Sequence, residues 1–144
     1  MRPGPDPEAV ARALFLCMGL LRRRLRQTPT GDVLTFPQIA ALSRLDRSGP
    51  ATGADLARQE QISPQSMGAT LGELEARGFI TREQDPTDGR RILLSISAAG
   101  KREVTRRRSA RVEQIAAGLV DFTDAELEQL AAAAPLIERL AYHL

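Results

Sequence analysis

The spacing of apolar residues changes character several times along the chain, and each change marks a new element. After Asp6, with Pro7 where a first helical residue belongs, Val10, Leu14, Cys17, Leu21 and Leu25 recur three or four residues apart, the period of a helix with an apolar stripe. Phe15, Met18 and several alanines widen that stripe, so this helix is expected to pack on two sides. Thr28-Pro29-Thr30-Gly31-Asp32 ends it. A second helix of about three turns starts near Thr35 with Pro37 in its first turn. It turns Ile39, Leu42 and Leu45 inward and stops at Ser48-Gly49-Pro50.

Two short helices follow, Thr52 to about Glu60 and Ser63 to about Arg77, each opened by a hydroxyl that can accept a free backbone N–H of the first turn. Their inward positions are Ala54, Leu56, Ala57, Ile62, Met67, Leu71 and Leu74, and Gly78 stands where a helix end favours a left-handed residue. This is a helix-turn-helix pattern. Then Phe79-Ile80-Thr81-Arg82-Glu83 and Arg91-Ile92-Leu93-Leu94-Ser95-Ile96 flank the polar turn Asp85-Pro86-Thr87-Asp88-Gly89, which predicts a β-hairpin. A long helix begins at Ser97, with Val104, Val112, Ile115 and Leu119 as its sparse apolar line. Thr123-Asp124-Ala125-Glu126 has the form of a capping box. It opens a last helix carrying Leu127, Leu130, Leu136, Ile137 and Leu140, which Pro135 is expected to interrupt and bend. The fold class is therefore mainly α with a small β-hairpin wing, a winged helix-turn-helix with additional helices at both ends.

Composition narrows the function. The chain has 144 residues, 42% apolar and 26% charged, which suits one domain spanning 1–144. No apolar run approaches the ~18 residues of a membrane span, and Met1-Arg2-Pro3-Gly4-Pro5-Asp6-Pro7 lacks the apolar core of a signal peptide. A cytoplasmic protein without membrane contact is expected. One cysteine, Cys17, and one histidine, His143, make neither a disulfide nor a typical zinc site. With no histidine, cysteine or paired-carboxylate constellation, no catalytic residue, metal or cofactor is expected. The scarcity of aromatic residues, 3% with no Trp, argues against stacking platforms for single strands.

Charge adds one qualification. Every basic residue except Lys101 is arginine, the better fork for phosphate and base edges, yet residues 51–97 carry 5 basic against 7 acidic groups. Any DNA contact there must rest on geometry rather than bulk charge.

In a winged helix the second helix of the helix-turn-helix can enter the major groove while the hairpin reaches an adjacent groove or the phosphates. The outward face of that helix shows Pro64, Gln65, Ser66, Gly68 and Ala69. Gln65 can read adenine bidentately, Ser66 can bond base or phosphate, and the two small residues allow close approach. On the wing, Arg90 and Arg91 close the hairpin turn, with Asp88 two residues before Arg90 and near enough to orient its guanidinium.

The stretches Leu34-Thr35-Phe36-Pro37-Gln38, Ile62-Ser63-Pro64-Gln65-Ser66-Met67 through Leu74-Glu75-Ala76-Arg77-Gly78-Phe79-Ile80, and Asp85-Pro86-Thr87-Asp88-Gly89-Arg90-Arg91 leading to Ser95-Ile96-Ser97-Ala98-Ala99-Gly100 resemble the multiple antibiotic resistance regulator (MarR) family of winged-helix transcription factors. The resemblance covers nearly the whole chain. It implies a homodimer on palindromic double-stranded DNA, with helices at 7–27 and 98–144 for dimerisation and 35–97 as the DNA-reading part. It assigns Ser63 through Ala69 to the major groove, Arg90 to the wing-tip contact and Asp88 to its positioning. Where many relatives have a basic residue in the recognition helix this chain has Ala69, which leaves more phosphate affinity to Arg90, Arg91 and the basic end of the first helix, Arg22-Arg23-Arg24 with Arg26, an end that reads equally as a solvated face.

The resemblance also implies a repressor whose DNA affinity a small-molecule effector lowers, with a hinge pocket that Leu14, Phe15, Met18, Phe36 and Leu42 could line or fill as core. Some family members sense peroxide through a first-helix cysteine. Here Cys17 falls on the apolar stripe without a resolving cysteine, which favours a buried structural thiol. A winged helix serving as a protein-interaction module is the competing reading, supported by the net-acidic middle segment.

Overall fold

The computed structural model describes residues 4–27 and 34–144, so the predicted stop at Thr28-Pro29-Thr30-Gly31-Asp32 lies outside the described residues. The elements are α1 (Pro7–Gln27), α2 (Phe36–Ser48), α3 (Gly53–Gln59), α4 (Pro64–Ala76), β1 (Ile80–Gln84), β2 (Ile92–Ile96), α5 (Ala98–Gly118) and α6 (Asp124–Ala141). The chain forms two compact units, residues 1–110 and 111–144.

The first unit is organised around one apolar cluster. Leu42 and Leu45 from α2, Leu56 and Ala57 from α3, Met67, Leu71 and Leu74 from α4, Ile80 and Leu94 from the hairpin, and Val104 from α5 are all buried in it. Each large side chain so placed contributes roughly 1.5–3 kcal/mol relative to exposure. Ala54 departs from expectation: it is exposed, because the seven-residue α3 needs only Leu56 and Ala57 to reach the cluster.

Local chemistry sets the boundaries. The backbone N–H of Thr35 donates to Gln38 Oε1 at 2.8 Å at the start of α2. Thr52 Oγ1 accepts the Asp55 N–H at 3.1 Å at the start of α3. Gly78, with φ of 74°, turns the chain out of α4.

Strands β1 and β2 pair antiparallel in the register Ile80↔Ile96 to Gln84↔Ile92. A further two-way bridge between Ala51 and Leu94, at 3.1 and 2.8 Å, ties the hairpin to the segment before α3. Ser97 joins the hairpin to α5: its hydroxyl donates to Gly78 O at 2.6 Å and accepts the Gly100 N–H at 3.0 Å.

In the second unit the predicted capping box is present. Thr123 Oγ1 accepts the Glu126 N–H at 3.3 Å, and Glu126 Oε2 accepts the Thr123 N–H at 2.8 Å. Helix α6 then runs unbroken through Pro135 rather than being interrupted there. Neither α1 nor α6 buries a residue among those described.

Candidate nucleic-acid interface

Helix α4 starts at Ser63, whose Oγ accepts the Ser66 N–H at 3.1 Å, with Pro64 in the first turn. The core claims Met67, Leu71 and Leu74, which leaves Ser63, Pro64, Gln65, Ser66, Gly68 and Ala69 exposed. The Ser63 hydroxyl donates to Ser66 Oγ at 2.9 Å, so Ser66 keeps its own O–H as a donor for an outside partner. A Cβ placed at Gly68 or Gly72 would meet nothing within 4 Å. The outer face is flat, and a base edge can approach the backbone closely.

Helix α4 contains no arginine or lysine, and its two carboxylates are each paired with another side chain of the protein. Glu75 accepts from Arg82 Nε at 3.1 Å. Glu73 accepts from Nε2 of Gln38, whose side chain is buried between α2 and α4. Reading the sequence missed this Gln38–Glu73 link. A glutamine three residues after Thr35 does suggest a capping role, but no local signal identifies a partner 35 residues away.

The wing tip is ordered by its own carboxylates. Asp85 N–H donates to Arg91 O at 2.9 Å, and Asp85 Oδ1 accepts the Thr87 N–H at 2.8 Å and the Thr87 hydroxyl at 2.7 Å. Those Thr87 bonds, with the Arg91 charge nearby, hold the Asp85 carboxyl below the usual carboxylate range.

Asp88 acts differently from the sequence-based expectation. Its Oδ1 accepts the backbone N–H of Arg90 at 3.1 Å rather than the guanidinium. In a tight turn the amide two residues on is the nearest donor, so Asp88 shapes the backbone that carries Arg90. The Arg90 side chain is exposed and makes no hydrogen bond or ion pair among the described residues.

Arg91 is held back instead. Its Nη2 lies 3.7 Å from Asp55 Oδ2 on α3 and its Nη1 3.7 Å from Asp85 Oδ2. The Thr52 hydroxyl and Arg58 keep the Asp55 carboxyl below its ordinary range.

The five residues considered for an effector pocket do not converge. Leu42 is core, 1% exposed, and edges a crevice of about 20 Å³ between α2 and α5, which is too small for an organic effector. Phe15 and Met18 line an open groove on α1 with Leu16, Gly19, Leu20 and Arg22. Phe36 is exposed, with the Arg26 guanidinium 4.9 Å from its ring centroid, and Leu14 is half-buried. Cys17 is exposed, not buried. The apolar stripe that contains it exists, but among the described residues only Leu14 and Leu25 of that stripe are partly covered, and Val10, Cys17 and Leu21 are exposed.

Residues 34–92, from the start of the core to the beginning of β2, match the MarR family. An uncharacterized HTH-type transcriptional regulator of Mycobacterium bovis, Mb0904, is 34% identical over 128 residues, covering 89% of this chain and 90% of that one. The chain belongs to the MarR family of winged helix-turn-helix transcription regulators. As a MarR protein it is a DNA-binding regulator and not an enzyme. Its MarR relatives include the HTH-type transcriptional repressor Rv2887 of Mycobacterium tuberculosis, 33% identical over 96 residues, or 67% of this chain and 69% of that one. A variant of MepR from S. aureus bound to an oligodeoxyribonucleotide shares the fold, with a TM-score of 0.68 and 20% identity over 94% of this chain and 98% of that one. Among the described residues, no MarR helix here is long and apolar enough to cross a membrane.

Proposed function

We propose that the protein is a repressor that acts as a homodimer on palindromic double-stranded DNA and is released by a small ligand. The observation that carries the reading is the outer face of α4 together with Arg90: both are exposed on one winged helix, and the guanidinium has no partner among the described residues. Ser63 through Ala69 read the major groove, with Gln65 on adenine, and Arg90 enters the adjacent minor groove or meets its phosphates.

Residues 35–97 then serve recognition, and the helices at 7–27 and 98–144 serve dimerisation. Support for the dimer is the apolar surface left wet in one chain: Phe15, Leu16, Leu20 and Leu21 on α1, and Leu130, Leu136, Ile137 and Leu140 on α6 are all at least 40% exposed. Apolar surface exposed on each of these helices marks an interaction face, and a permanent dimer of about 2,000 Å² or more would cover it. The relative Rv2887 is a transcriptional repressor. Release by a ligand would be a population shift, in which the ligand favours a separation of the two recognition helices that mismatches the operator.

The test is selection from randomised duplexes followed by titration at several salt concentrations. An enriched inverted repeat bound by two copies, with log K falling linearly against log salt, is expected. No enriched site, or binding by a monomer, overturns the proposal.

A further inference from the structure

We propose that Arg91 is a positioning residue which braces the wing against the helix-turn-helix, and that Arg90 alone carries the wing's charge to DNA. This rests on the reading of the wing as a DNA contact. The two arginines are adjacent in sequence yet differ in surroundings. Arg90 is fully committed to solvent, held at its backbone by Asp88. The Arg91 guanidinium lies between two carboxylates, Asp55 on α3 and Asp85 at the base of the turn, at 3.7 Å from each.

Both carboxylates are themselves fixed. Asp55 accepts from the Thr52 hydroxyl at 2.8 Å and from Arg58 at 2.5 Å, and Asp85 accepts twice from Thr87. Asp85 is also buried. A guanidinium flanked by two anchored anions must leave both to reach a phosphate, and would leave two negative charges facing the DNA backbone. Its backbone adds to the brace: Arg91 O accepts the Asp85 N–H at 2.9 Å and Arg91 N–H donates to Asp88 O at 3.0 Å, closing the loop that presents Arg90. The Ala51–Leu94 bridge fastens the same strand to the segment leading into α3. Arg91 extends that fastening toward the tip.

The two roles give opposite signs on removal of the partner. If Arg91 braces the wing, Asp55→Asn weakens DNA binding; if Arg91 contacts phosphate, Asp55→Asn frees the guanidinium and tightens it. The experiment uses the full-length protein and its selected duplex, with Arg91→Ala, Asp55→Asn and their double variant, and Asp85→Asn as a second arm that leaves the α3 cap intact. Affinity is measured across salt, and amide exchange of residues 85–91 is followed in the free protein.

The expected result is a loss of about two- to fivefold for each single variant, the range of exposed ion pairs, with the salt slope unchanged and the double variant no weaker than Arg91→Ala. Exchange at the wing tip accelerates in Arg91→Ala and not in Arg90→Ala. Tighter binding by Asp55→Asn, a salt slope lowered by about one per wing in Arg91→Ala, or unaltered wing exchange overturns the brace. If Arg90→Ala leaves affinity and slope unchanged, the wing-contact reading fails instead, and wing exchange in the free protein still decides whether Arg91 braces the hairpin.

Discussion

Replacing Gly100 by alanine tests how tightly α5 is joined to the wing. A methyl carbon at that position would lie 2.2 Å from Phe79 O, 2.7 Å from Ile96 Cγ1 and 3.2 Å from Leu42 Cδ1. Ordinary carbon–oxygen contacts begin near ~3.3 Å, so the first turn of α5 must move by about 1 Å. The atom in the way is a backbone carbonyl that cannot rotate aside, because Phe79 O already accepts the Ser97 N–H at 2.9 Å. Overpacking typically costs about 1–3 kcal/mol, and a rigid neighbour places this site toward the upper end. Alanine recovers up to about 1 kcal/mol of helix propensity. The expected net loss is about 2 kcal/mol, or roughly 4–8 °C in Tm for a chain of this size.

Gly72→Ala is the matched control, since α4 offers open space around that position, and it should gain about 0.5–1 kcal/mol. Thermal and urea unfolding followed by circular dichroism at equal protomer concentration would compare the two. A Gly100→Ala protein as stable as the wild type would refute the close junction of α5 with the hairpin.

Gln38→Ala should cost about 1–2 kcal/mol in urea unfolding, because it deprives the Thr35 N–H and the Glu73 carboxylate of one shared partner; an unchanged midpoint would remove Gln38 as the link between α2 and α4. Gln65→Ala should erase preference at one base pair per half-site, about 1–3 kcal/mol of discrimination, with little change on nonspecific duplex; uniform weakening on all sequences would count against base reading. Asp85 has a folded pKa below its ordinary 3.8, so its stabilisation is present above that value and lost as pH falls through the lower folded one. The acid limb of the stability profile should therefore flatten in Asp85→Asn below about pH 4, and an unaltered limb would show that the Thr87 bonds do not favour the charged form. Cys17, exposed in one chain, should react with a thiol reagent far more slowly in the native protein than in denaturant if α1 forms the proposed dimer interface; equal rates would count against that placement of α1.

Much of the fold was legible because its signals are short-range. Ser63 followed by Pro64, Thr123 with Glu126, Gly78 after α4 and the polar turn at Asp85–Gly89 act within a few residues of themselves, so each element was readable where it lies. The exposed face of α4 was readable for the same reason: Met67, Leu71 and Leu74 mark the buried side, and Gln65, Gly68 and Ala69 follow as the remainder. Tertiary structure decided which groups meet. It drew Arg91 toward Asp55, joined Gln38 to Glu73, and pressed Gly100 onto Phe79 O. It also left Cys17 exposed, with Val10 and Leu21 of the α1 stripe. Periodicity states that a face is apolar, but burial requires a second surface to cover it. An ion pair depends on charges brought within a few ångströms by the fold, a distance that no spacing along the chain contains.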